Sequence, residues 1–256
     1  MDLKLKGKRA LVTGGTKGIG KAITQTLARE GCHIATCARD SKEVAIAVES
    51  LKSLGVNAIG ESIDVTDESA LKNFVTTSAE QLGGLDIIVS NVGAMAIGPD
   101  REAWLKNLEM DIFGLVAMVE AGESLLEQAA AEHGDASIIA IGSTASVAAL
   151  NASSYGPVKA ALVHYVKGLA KQYAGRKIRA NVVSPGMVYF EGGVWDRVKN
   201  NKPDIYKSQL ARNPMGRMGR PQDIANAVTF LASPRSEFTT GINMIIDGAL
   251  TDRVNF

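Results

Sequence analysis

Tyr155 and Lys159 stand four residues apart, just behind Ser154. Pro157 between them is tolerated only in the first turn of a helix, so the helix begins near Ser154 with Tyr155 close to its N-terminal end. Residues at i and i+4 share one face, which sets an ammonium beside a phenol. Twelve residues before Tyr155, Ser143 ends an apolar run, ASIIAIGS (136–143). A free phenol titrates near ~10, and a neighbouring cation favours its ionised form. A phenol so placed, with a hydroxyl nearby, suits proton exchange with a substrate oxygen. Taken alone, Tyr and Lys at this spacing are ordinary on a helix surface.

A second stretch suits anion binding. Thr13-Gly14-Gly15-Thr16-Lys17-Gly18-Ile19-Gly20 follows RALVTG (9–14) and opens a helical segment. Glycines permit a tight turn there and let the backbone approach a pyrophosphate at the helix N-terminus. The spacing is G-x-x-x-G-x-G, and no GK[ST] ending follows, which disfavours a P-loop. About 20 residues on, where a nucleotide's ribose would be read, stands Cys37-Ala38-Arg39-Asp40. Arg39 and Lys17 suit the 2′-phosphate of NADP(H), whereas Asp40 turned inward would select NAD(H). The cations favour NADP(H); simple solvated charges are the bland alternative.

Serine-nucleophile chemistry lacks a base. His164 lies nine residues beyond Tyr155, about 180° around the same helix, and His33 and His133 fall at a strand start and a helix end. Cys32 and Cys37 are the only cysteines. On one strand five residues apart they would point to opposite faces, without the ligand set of a zinc site, and small buried side chains are expected. No metal site is expected.

These groups need elements to hold them. Apolar, β-branched runs at 9–14, 33–38, 58–64, 85–92, 136–143, 179–185 and 244–247 alternate with helical stretches at 19–30, 42–54, 67–82, 101–131, 154–174 and 221–232. Strands without a polar side are buried on both faces, so the fold class is α/β: a doubly wound, mostly parallel seven-stranded Rossmann sheet with helices on both faces. Residues 186–216 break the rhythm with only irregular helical potential and carry Tyr189, Phe190, Trp195 and Tyr206. An insertion after a strand's C-terminal end is where such sheets keep ligand loops. A surface helix pair packed on the core is the alternative.

The chain has 256 residues with 46% hydrophobic composition, and 28 Lys plus Arg against 27 Asp plus Glu. That size builds its own core without staples, so residues 1–256 read as one domain. Near-neutral charge argues against general nucleic-acid binding. No apolar run reaches the roughly 18 residues of a membrane span, and MDLKLKGKRALVTGG lacks a signal-peptide core. A cytoplasmic protein is expected.

Taken jointly, the motifs resemble the short-chain dehydrogenase/reductase family, in its single-domain form, over nearly the whole chain. TGxxxGIG matches Thr13 to Gly20, and YxxxK matches Tyr155 to Lys159. The resemblance implies that Asp64-Val65 contacts adenine and that Ser90-Asn91-Val92-Gly93 stands for NNAG. It implies further that Asn181 to Gly186 is N-x-x-x-P-G, so that Pro185 and Gly186 lie by the cofactor with Val188 near the nicotinamide. The tail from Gly216 through Pro221 to Asp247-Gly248 fits the family's ending. In the implied roles Tyr155 exchanges a proton with a ketone or alcohol oxygen, Ser143 hydrogen-bonds that oxygen, and Lys159 supports the phenolate and grips the ribose. Three departures stand out: Asp111 occupies the family's active-site Asn position, Ser143 precedes Tyr155 by one residue fewer than usual, and the Thr after the PG turn is missing from Val188-Tyr189-Phe190.

Met95, Ile97, Tyr189, Phe190, Val194 and Trp195 are expected to line an apolar substrate pocket for a small ketone or alcohol. Reduction of a 3-oxoacyl thioester is the alternative, with Arg176, Lys177 and Arg179 as candidate docking cations for an acidic carrier. A cofactor-binding sensor without turnover is a third reading, motivated by Asp111 and the shortened Ser143 spacing and opposed by the intact Tyr155 and Lys159. The family's usual dimers or tetramers are expected, with Ala160, Ala161, Gly168 and Ala170 permitting close helix approach.

Overall fold

Strands form where the chain carries small and β-branched apolar side chains on both faces. In a computed structural model describing residues 1–149 and 151–254, these are β1 (Arg9–Thr13), β2 (His33–Ala38), β3 (Ala58–Ser62), β4 (Ile87–Ser90), β5 (Ala136–Ile141), β6 (Ile178–Pro185) and β7 (Asn243–Ile246). They make one parallel sheet in the order β3-β2-β1-β4-β5-β6-β7. Every residue of β5 and β6 is buried. The winding reverses between β1 and β4, so the C-terminal ends of those strands open onto the crevice where such sheets bind ligands.

The helices are α1 (Gly18–Arg29), α2 (Ser41–Lys52), α3 (Glu68–Leu82), α4 (Arg101–Asn107), α5 (Gly114–His133), α6 (Tyr155–Tyr173), α7 (Val194–Asn201), α8 (Pro203–Ala211) and α9 (Pro221–Ala232). Apolar residues of α3, α5 and α6 cover one face of the sheet, and those of α1, α2 and α9 cover the other. Cys37 belongs to the first layer and Cys32 to the second, both free and buried. Burial pushes the Cys37 thiol up to about 12, and Cys32 upward as well.

Three expectations are corrected here. The stretch 101–131 is not one helix: a π-helical turn, Leu108–Phe113, separates α4 from α5. Residues 186–216, read as irregular, contain α7 and α8, with Pro203 starting the latter and no fully buried residue on either. Arg179 is no docking cation. It sits on fully buried β6, bidentate to Asp135 at 2.7 and 3.0 Å, with further bonds to Leu231 O, Ser233 O and Ser236 Oγ. Arg176 is likewise engaged, by Glu123 and Glu127.

Candidate active site

At the end of β1 the backbone turns through Gly14 (φ 69°) and Gly18 (φ 51°), conformations that favour glycine. Asn91, after β4, ties this loop down: its Nδ2 donates to Thr13 O at 2.9 Å, and its N–H donates to Thr13 Oγ1 at 3.0 Å. Lys17 precedes α1 in extended conformation without a side-chain cap, and no acidic residue lies in the first turn. The orphan N–H groups and the positive helix end therefore suit an anion. A side chain at Gly20 would run into the Gly14 carbonyl and one at Gly15 into Thr36. The loop thus fits a nucleotide pyrophosphate, with Ile19 half-buried behind it. Thr16, Lys17, Gly18, Phe190, Glu191 and Pro221 are among the residues lining a cleft of about 370 Å³ at this spot.

Beyond the loop, Arg39 is exposed at the tip of β2, while the Asp40 carboxylate caps α2 by accepting from Lys42 N (2.9 Å) and Glu43 N (3.1 Å). Lys17 Nζ lies 2.5 Å from Glu43 Oε1. Asp64 accepts from the N–H and hydroxyl of Thr66. The Thr66 N–H, then its hydroxyl and the Arg39 charge, hold the Asp64 carboxyl below its ordinary range, while burial acts the other way. Val65 beside it is buried.

The start of α6 is pressed against the end of β5. Lys159 Nζ donates to Ile141 O at 2.7 Å, two residues before Ser143. A Cβ on Gly156 would come within 2.9 Å of Ala145 O, two residues after Ser143. Ser143 is thereby bracketed by contacts from the helix that carries Tyr155, and its Oγ accepts from Ala145 N at 3.1 Å to start a short 3₁₀ turn. Lys159 Nζ is 5.9 Å from the centre of the Tyr155 ring. It is also 2.6 Å from Asp111 Oδ1, both side chains being buried. Gly93 leaves room for this pair, since a Cβ there would lie 2.8 Å from Asp111 Oδ1. Ser143, Tyr155, Lys159, Asp111 and Gly93 are therefore brought together at the C-terminal ends of β4 and β5.

On the far side of the crevice, Gly186 packs against Asp247 after β6. Pro185 is the last residue of β6 and Val188 bridges to Gly219.

The expected substrate pocket is only partly assembled. Phe190 is corrected: its ring lies on Gly18 and packs toward the core layer of α1 and α9. A glycine without a side chain leaves the flat surface that the ring covers. Tyr189 turns to α7 and α8, donating to Asp196 Oδ1 at 2.8 Å and meeting Tyr206 edge-on at 6.2 Å. The Asp196 hydrogen bond raises the tyrosine's proton affinity above the ordinary phenol range. Val194 and Trp195 are half-buried at the start of α7. Met95 (φ 49°) and Ile97 are exposed in the loop after β4.

Asn107 escaped sequence reasoning. Buried at the end of α4, it donates to Ala96 O (2.8 Å) and Ser154 Oγ (2.9 Å) and accepts from Ala96 N (3.1 Å). It clamps the Met95 loop to the start of α6. Its place four residues before Asp111, on the same side of a helix, is the one signal that could have found it.

A family model described as Enoyl-(Acyl carrier protein) reductase matches residues 14–251. Isoepoxydon dehydrogenase patN of Aspergillus clavatus is 33% identical over 252 residues, 96% of this chain and 95% of that one. L-sorbose reductase from Gluconobacter frateurii, solved with NADPH and L-sorbose, has a TM-score of 0.90 at 26% identity, over 99% of this chain and 100% of that one. A 7α-hydroxysteroid dehydrogenase solved with NADH and 7-oxo glycochenodeoxycholic acid has a TM-score of 0.89 at 29% identity, over 99% of this chain and 98% of that one.

Proposed function

We propose, since this chain belongs to the short-chain dehydrogenase/reductase family of oxidoreductases, that it interconverts a small apolar ketone and its secondary alcohol using NADP(H). The reading rests above all on Lys159, which joins Tyr155 on α6 to Ile141 beside Ser143 at the open end of the sheet. The pyrophosphate would sit on Gly14, Thr16, Lys17, Gly18, Ile19 and Gly20. Asp64 and Val65 would border the adenine, with Asn91, Gly93, Pro185, Gly186 and Val188 along the nicotinamide half. Arg39, which makes no ion pair among the described residues, would meet the 2′-phosphate. The bound nicotinamide supplies hydride exchange with the substrate carbon.

The chain's own residues handle the oxygen. Tyr155 gives a proton from its phenol to the ketone oxygen, or takes one from the alcohol. Ser143 Oγ donates a hydrogen bond to the same oxygen. Lys159 would favour the phenolate and would hold the ribose hydroxyls of the bound nucleotide, and Asp111 holds Lys159. No helix among the described residues is long and apolar enough to cross a membrane. We read residues 1–256 as a single domain with a substrate loop at about 186–216, acting in the cytoplasm as a homodimer or homotetramer. Ala160, Ala161 and Gly168, exposed on α6, would permit close approach of a second copy, whereas Ala170 is buried within its own chain.

A panel of small ketones assayed by NADPH oxidation tests the reading. Tyr155→Phe should lower kcat about 10³-fold while nucleotide affinity stays within about twofold. Substantial turnover by that variant would overturn the acid/base assignment. Reduction of a 3-oxoacyl thioester is the second reading. Arg197, Lys199, Lys202, Lys207 and Arg212, against Asp196 and Asp204, make α7 and α8 a basic cover that favours an anionic group. Faster turnover of a coenzyme A thioester than of any free ketone would select it.

A further inference from the structure

Asp111 brings a negative charge to a site whose proposed chemistry depends on a positive one. Its side chain is fully buried (0%) on the π-helical turn, Oδ2 accepting from Ala94 N at 3.1 Å. Oδ1 lies 2.6 Å from Lys159 Nζ but outside hydrogen-bond geometry, and it accepts from no donor among the described residues. The contact is therefore one of charge. From α6 Lys159 faces it, and Tyr155, one turn earlier, has its ring centre 5.9 Å from the same Nζ. The loop after β4 faces it with the Ala94 N–H, and the neutral amide of Asn107, on α4, is taken up by Ala96 and Ser154. On α5, Glu120 is exposed and paired with Lys72, while Glu109 on the turn itself points to solvent.

We propose that Asp111 offsets the field of Lys159 at the Tyr155 hydroxyl. The phenol then keeps its proton through neutral pH and is ready to protonate a carbonyl oxygen, whereas alcohol oxidation is confined to alkaline pH. This rests on the acid/base role given above to Tyr155. In reduction, the carbonyl carbon gains the hydride and its oxygen gains the phenolic proton; oxidation returns both. A negative charge removed from beside an ammonium leaves that ammonium's attraction for a phenolate unopposed.

Asp111→Asn keeps the shape and an acceptor for the Ala94 N–H while removing the charge. The readout independent of turnover is the phenolate absorbance of Tyr155, taken as the difference between each protein and its Tyr155→Phe counterpart across pH. The Asp111→Asn midpoint should fall by about one pH unit or more. The pH–rate profile of alcohol oxidation should move the same way, with the change in kcat and little in KM. Asp111→Glu, which keeps the charge, should restore the wild-type midpoint. An unchanged or higher midpoint in Asp111→Asn overturns the proposal. Should that protein not fold, Asp111→Ser is titrated against the same two outcomes. A midpoint that falls in a protein turning over no alcohol or ketone would keep the charge balance and remove the proposed reaction.

Discussion

At the tip of β2, the Asp40 carboxylate is committed to the first N–H groups of α2, a cap that contributes about 1 kcal/mol. The inward turn that would favour NAD(H) would sacrifice that cap. Lys17, paired with Glu43, is 68% exposed; an ion pair so exposed contributes little, so the ammonium is free to exchange Glu43 for a phosphate. Arg39 needs no such exchange. Arg39→Ala should weaken NADPH binding about 10- to 100-fold, the worth of a charge-assisted hydrogen bond, and leave NADH nearly unchanged. Fluorescence titration with both nucleotides measures this, and equal loss for both would remove the phosphate clamp. Arg39 and Tyr155 were legible in the sequence because each follows a local signal, a strand end or a helix start. The direction of the Asp40 side chain was not, since it depends on where α2 begins relative to β2.

Among elements, α6 does most to build the site. Its start near Ser154 follows from Pro157 alone, and the structure begins the helix at Tyr155. Its close seat against the turn after Ser143 depends on Gly156 having no side chain. Gly156→Ala should therefore cost about 1–3 kcal/mol of stability through overpacking. By displacing Tyr155 from Ser143 it should also lower kcat up to about 10²-fold. Urea unfolding and steady-state kinetics check the two halves separately; a variant with wild-type stability would mean the contact gives way without strain. The π-helical turn before α5 had no counterpart in the apolar spacing of 101–131. One extra residue in a helical turn leaves the residue types unchanged and shows only in where Asp111 ends up, buried against Lys159.

Over the molecule as a whole, the crevice sits at one end of the strands and an ion cluster at the other. Asp86 precedes β4 with its side chain buried, 2.6 Å from Arg9 Nε and 3.1 Å from Lys8 Nζ. Burial alone would raise its carboxyl, but the Arg9 hydrogen bonds and the Lys8 and Arg9 charges more than offset this and hold it below the ordinary range. A carboxyl depressed in the folded state adds stability above its unfolded value of ~3.9, and that stability is lost as pH falls through the folded value. Urea unfolding should therefore show stability declining as pH drops below about 4. Asp86→Asn should cost about 3 kcal/mol at pH 7, by removing the carboxylate that two half-buried cations share, and flatten that acid decline. An acid limb as steep in the variant as in the wild type would assign it to other carboxylates.

The parallel α/β order, the glycine loop, and the shared face of Tyr155 and Lys159 can be read from residue order alone, because each follows from short-range periodicity and backbone chemistry. That Asp111 meets Lys159, that Phe190 covers Gly18, and that Arg179 is bound by Asp135 emerges once the chain is folded. Those contacts join residues 40 or more positions apart in the chain, and in each case the partner was supplied by the packing of separate elements.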